Sequence, residues 1–144
     1  MTTTTQEVNK AIYQRLHDAT NSRDLDRISA AADEAFHPQA VFHGPFPSGL
    51  SAAEAVKGAW AMLLRAFPDI QVTAEETMAD GDRLVVRNTV RGTHLGEFRG
   101  VRPTGRSIAY DEVFFVRFAD GRVIEVWGLV DAFSQLQQLG ALPS

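Results

Sequence analysis

Residues 107–131, SIAYDEVFFVRFADGRVIEVWGLVD, hold two β-patterned runs on either side of Asp120-Gly121. An Asp-Gly pair between runs of similar length is the strongest short-range hairpin signal, because the turn needs a left-handed backbone that these residues adopt at little cost. In the first run Tyr110, Phe114 and Phe118 share one face, against Asp111, Val113, Phe115 and Arg117 on the other. In the second, strict alternation places Glu125, Trp127, Leu129 and Asp131 together, and Ile124, Val126, Gly128 and Val130 opposite them. Both of its faces carry apolar groups, so both are expected to be partly covered.

The same pattern extends backward to segments near 70–79 and 83–93, joined through Ala79-Asp80-Gly81-Asp82. These turns predict an antiparallel sheet. A Gly-rich connection between Leu95 and Arg106, with Gly96, Gly100, Pro103 and Gly105, reads as a rim loop or a wide hairpin. Upstream, Val8, Ile12, Leu16 and Ala19 recur at helical spacing over residues 6–20, and Thr4 with Glu7 makes a capping box. A shorter helix through Leu25, Ile28, Ala31 and Ala32 must end before Pro38, and residues 40–43 read as a short strand. After the loop Gly44-Pro45-Phe46-Pro47-Ser48-Gly49, a second capping box, Ser51 with Glu54, opens a helix that runs to about Phe67 and stops at Pro68. A closing helix over 132–139 meets Gly140, where a left-handed cap favours glycine. Helices followed by strands argue an α+β fold: a cone-shaped α+β barrel, its curved antiparallel sheet wrapped around the N-terminal helices to leave an internal pocket. Residues 1–5 are expected to form a disordered tail, and 6–144 a single domain.

Composition narrows the function. A chain of 144 residues, 44% apolar and 22% charged, suits one soluble domain that needs no lipid to fold. The net charge is −4 and the basic residues are scattered, so nucleic acid is not an expected partner. Without cysteine there is no disulfide, thiolate metal site or thiol nucleophile. The N-terminus lacks a signal-peptide pattern and no apolar run could cross a bilayer, so a cytoplasmic location is expected. The four histidines show no HxH or HExxH spacing, and nucleophile-elbow, dinucleotide and P-loop patterns are absent. No metal or other cofactor is therefore expected.

Asp131 is the candidate acid/base. If the Trp127 face is the concave one, its carboxyl points into an apolar interior, and burial raises its pKa into a useful range. It also directly precedes the closing helix, where Asp is a favoured N-cap, and an exposed Asp131 bonded only to that helix would argue against catalysis. His43 and His94, each beside a Gly-containing turn, could position a substrate oxygen or be structural. Trp60 and Trp127 could wall a pocket for a flat ligand or pack the core. Arg117 could stabilise an enolate oxygen or pair with a surface carboxylate. His17 and His37 read as surface or core-edge residues.

The segments Ala66-Phe67-Pro68-Asp69, Gly81-Asp82, Gly92-Thr93-His94-Leu95-Gly96-Glu97-Phe98, Pro103-Thr104-Gly105-Arg106, 120–127, Asp131 and Gln138-Leu139-Gly140 then fall together. In that order and spacing the chain resembles the SnoaL-like polyketide cyclase family of the nuclear transport factor 2-like superfamily, from about Tyr13 to Pro143. The resemblance implies a deep pocket and, in the cyclases, an intramolecular aldol ring closure with the aspartate matching Asp131 as general acid/base. A proton lost between carbonyls leaves a delocalised carbanion, so such chemistry needs no cofactor. The chain departs from the family pattern at Val126 and near Arg117, where family cyclases often carry histidines. An apolar polycyclic ketone is the expected substrate, for a lyase or isomerase that pairs into a homodimer. The rival readings are a non-catalytic, dimeric small-molecule-binding domain and, behind it, an epoxide hydrolase using Asp111 and Asp131. A ketosteroid-isomerase-like site is disfavoured by Phe42 and His43, where that pattern places an aspartate.

Overall fold

A computed structural model describes residues 4–142. Of the expected tail, residues 1–3 lie outside the described residues, while Thr4 caps the first helix and Thr5 opens it. Helix α1 (Thr5–Asn21) starts on the capping box: Glu7 N donates to Thr4 Oγ1 at 3.1 Å and Thr4 N donates to Glu7 Oε2 at 3.2 Å. Helix α2 (Leu25–Ala35), capped by Asp24, leads directly into strand β1 (Phe36–His43). That strand starts earlier than residue 40 and carries Pro38 through a break in register between Phe36 and Val41. Helix α3 (Ala52–Ala66) opens on the second capping box. Strands β2 (Gln71–Asp80), β3 (Arg83–Thr93), β4 (Ser107–Ala119) and β5 (Arg122–Val130) follow, and α4 (Ala132–Gln138) closes the chain. At the β4–β5 turn Asp120 and Gly121 take φ +52° and +76°, the left-handed pair that an Asp-Gly hairpin uses.

The sheet order is β1-β5-β4-β3-β2. The three later pairings are antiparallel, but β1 runs parallel to β5, with Phe42 opposite Val126 and His43 opposite Trp127. The antiparallel order expected from the turns holds from β2 to β5, and the parallel edge strand β1 is added to it. Tight turns dictate antiparallel neighbours, whereas β1 reaches its partner through most of the chain and its direction is free of any turn.

Two buried clusters sit under the sheet. Ile12, Ala32, Phe36, Val86, Val116 and Val126 belong to one; Phe67, Ile70, Val90, Phe98, Ile108 and Leu139 belong to the other; Trp60 packs against both. The loop 94–106 is pinned at its start, because Leu95 N and Gly96 N both donate to Ala66 O, at 2.9 and 3.1 Å. A side chain at Gly96 would collide with the Arg65 carbonyl. Among the described residues, no helix is long and apolar enough to cross a membrane.

Candidate active site

The helices do not fill the concave side of the sheet. A cavity of about 550 Å³ remains, walled by α1, α3, β4, β5 and the loop 44–50. Alternation along β4 turns Tyr110, Glu112, Phe114 and Val116 into it. Glu112 is thus a carboxyl group set in a largely aromatic and aliphatic wall. The β3–β4 register places Asn88 directly across from it, and Asn88 Nδ2 donates to Glu112 Oε1 at 3.1 Å. Glu112 keeps some accessible surface, which opens onto the cavity rather than bulk water. Burial pushes its pKa up to about 7, and the Asn88 hydrogen bond opposes that shift only in part.

Two phenols stand near this carboxyl. Burial, and then the charge of Glu112, raise both Tyr13 on α1 and Tyr110 on β4 above the usual phenol range, with Asn88 and Gln135 respectively working the other way. Both therefore stay protonated at neutral pH and remain donors. Asn88 is 1% exposed, and its Oδ1 has no hydrogen-bond partner among the described residues. His17 also lines the cavity, where burial lowers its pKa against the opposing charge of Asp18.

The candidates named from sequence are distributed differently. Trp60 lines the cavity. Asp131 does not: it is exposed, and its Oδ1 accepts from Ser134 N at 2.9 Å as the N-cap of α4. The expectation of a buried Asp131 is corrected. His43, Arg117 and Trp127 lie on the outer, convex face. There His43 Nε2 meets Glu125 Oε2 at 2.8 Å, Arg117 Nη2 donates to Glu125 Oε1 at 2.9 Å, and the His43 ring stacks on Trp127 at 4.8 Å. His94 is fully buried under the rim loop, its Nδ1 accepting from Thr104 N at 3.1 Å, and it is not a cavity wall.

A β-bulge explains the reversal. Arg117 pairs with Glu125 but Phe118 pairs with Val123, so Ile124 is an extra residue and strict alternation fails there. Val123 and Val126 both point inward as a result. Gly128 also faces in, and a Cβ there would come within 2.8 Å of Phe114 and 2.9 Å of Phe42. The face that carries Trp127 is the outer one. Sequence reasoning missed Glu112, although its signal was present: alternation sets it between Tyr110 and Phe114, on an otherwise aromatic face. Among the described residues no three His, Asp or Glu side chains converge as a metal-ligand set.

The model of the SnoaL-like polyketide cyclase family matches residues 10–139. The chain belongs to that family. Among solved structures, this SnoaL-like chain is 35% identical to AclR, a proposed hydroxylase from Streptomyces galilaeus, with a TM-score of 0.82 over 97% of this chain and 89% of that one. It is 33% identical to IdmH, a proposed polyketide cyclase from Streptomyces antibioticus, with a TM-score of 0.76 over 92% and 98% of the two chains. TsrD from Streptomyces laurentii, 22% identical, shares the fold with a TM-score of 0.84 over 97% and 100%. No curated protein matches.

Proposed function

We propose that this SnoaL-like protein is a cofactor-independent acid/base enzyme for an apolar polycyclic ketone, with Glu112 as the group that moves the proton. The supporting observation is the carboxyl of Glu112 open to an apolar cavity, with its pKa raised by burial to about 7. A base poised near neutral pH is half ionised where it must act and gives the proton back readily. In the ring-closing reaction, the Glu112 carboxylate takes a proton from a carbon beside a carbonyl, and the electron pair left behind delocalises onto that carbonyl oxygen. The carbanion carbon then bonds to a second carbonyl carbon of the same molecule. The alkoxide so formed takes the proton back from Glu112, which restores the carboxylate. Tyr13 and Tyr110, held protonated, are the available donors for the developing oxyanion. Return of the proton to a different carbon would make the same site an isomerase.

Deuterium uptake by 2-tetralone in D2O, followed by NMR, tests this without the natural substrate. Wild-type protein is expected to accelerate exchange beside the carbonyl, with a rate that rises as pH increases through about 7 and Glu112 ionises. Wild-type protein that binds the ketone without accelerating exchange would instead be a binding module.

The homodimer reading rests on the outer sheet face, where Val41, Phe115, Trp127 and Leu129 are exposed, Leu129 by 72%. A second copy would cover them. Light scattering should give twice the chain mass, and Leu129→Glu should return one chain mass; a monomeric wild type removes the proposal.

A further inference from the structure

Among the described residues, Arg99 is the only lysine or arginine that lines the cavity. Its position is unusual for an arginine. Phe98 and Val101 exchange backbone hydrogen bonds of 3.0 and 2.8 Å across a two-residue turn, with Arg99 at φ +50° and Gly100 at φ +80°. A turn with two left-handed residues favours Asn-Gly or Gly-Gly, and a β-carbon at the first position opposes that backbone. Phe98 fixes where the turn sits, being buried against Phe67 with ring centroids 5.1 Å apart. For the backbone of the turn alone, asparagine would serve better.

The guanidinium is held in place on two sides. Nε donates to Gln135 Oε1 at 2.8 Å, and the group lies over the Phe98 ring, 5.2 Å from its centroid. Gln135 is 1% exposed and itself lines the cavity. Among the described residues, no carboxylate comes within 4.0 Å of Arg99 and no acceptor takes its terminal nitrogens. Arg99 lines the cavity, and its charge lowers the pKa of the nearby Tyr110 phenol, opposing in small part the rise caused by burial and Glu112. A pre-positioned cation with a free planar fork is suited to a carboxylate, which it can bind through two parallel hydrogen bonds.

We infer that Arg99, braced by Gln135, is a carboxylate-binding subsite at the rim of the cavity, so that the substrate is a polycyclic keto acid rather than a neutral ketone or ester. The inference rests on the reading of this cavity as the substrate site. Anchoring the acid at Arg99 would set which carbon of the apolar body lies against Glu112.

Calorimetric titration with anthraquinone-2-carboxylate and with its methyl ester at pH 8 tests the subsite. Wild-type protein should bind the acid at least about tenfold more tightly than the ester. Arg99→Asn should abolish that preference, the loss of affinity falling on the acid rather than on the ester. Arg99→Lys should keep part of the preference. Equal affinity for acid and ester in the wild type, equal loss of both in Arg99→Asn, or binding of neither would overturn the subsite. Proton exchange on 2-tetralone separates the two readings: a wild type that shows the acid preference without accelerating exchange, or a Glu112→Gln variant that exchanges at the wild-type rate, condemns only the Glu112 mechanism and leaves the subsite standing.

Discussion

Glu112 and Glu125 lie on adjacent strands of one sheet, and their carboxyl groups are driven in opposite directions. On the concave face Glu112 has one neutral donor, Asn88, and apolar walls, and its pKa rises to about 7. On the convex face Glu125 is hydrogen-bonded by His43 and Arg117, and those contacts hold it below the usual carboxylate range. The residue type is the same and the two sites are a sheet's thickness apart. What differs is how much water and how many cations each carboxylate meets, and the face of the strand decides that.

The largest effect that could break this contrast is on proton exchange. Glu112→Gln should slow deuterium uptake by 2-tetralone by roughly 100-fold or more, the usual scale for a lost acid/base group. Glu125→Gln should leave the rate within about twofold. Comparable losses in both variants would mean that the two faces are not chemically distinct.

The next effect is on stability against pH. Glu112 has a folded pKa raised above the ordinary 4.5 of a glutamate, so the native state holds a proton that the unfolded chain has released between about pH 4.5 and 7. Its contribution is therefore full below 4.5 and declines as pH rises to about 7. Urea unfolding should show Glu112→Gln gaining on wild type across that window by roughly 3–4 kcal/mol, about 1.4 kcal/mol per pKa unit. The depressed Glu125 has the opposite sign: its stabilisation is present at neutral pH and is lost on acidification. A flat difference between Glu112→Gln and wild type would show that the Glu112 carboxyl is well solvated.

The smallest of these effects sharpens the contrast at the end of β5. Asp131→Ala should cost about 1 kcal/mol in thermal unfolding, as for a lost N-cap, with proton exchange unchanged. Exchange that falls with Asp131 and survives Glu112→Gln would transfer the acid/base role to the cap residue.

Much of the fold was legible because its determinants are local. Capping boxes at Thr4 and Ser51 start helices where expected, and Asp120-Gly121 makes the expected hairpin. The cavity was legible in part: Trp60 lines it, and the alternation that groups Tyr110 with Phe114 also includes Glu112. Asn88 carried no comparable signal, because its role comes from a register pairing with a residue 24 positions away.

The amino-acid sequence by itself determined the elements, their turns and the α+β class, since periodicity and turn chemistry act over a few residues. Only the tertiary structure decided which face of β5 is concave, through the extra residue Ile124 and the parallel partner β1. That choice put Trp127, His43 and Arg117 outside and left Glu112 as the carboxyl of the cavity. The reason is physical: a carboxyl group's proton affinity is set by the water and charge around it, and those are properties of the assembled chain.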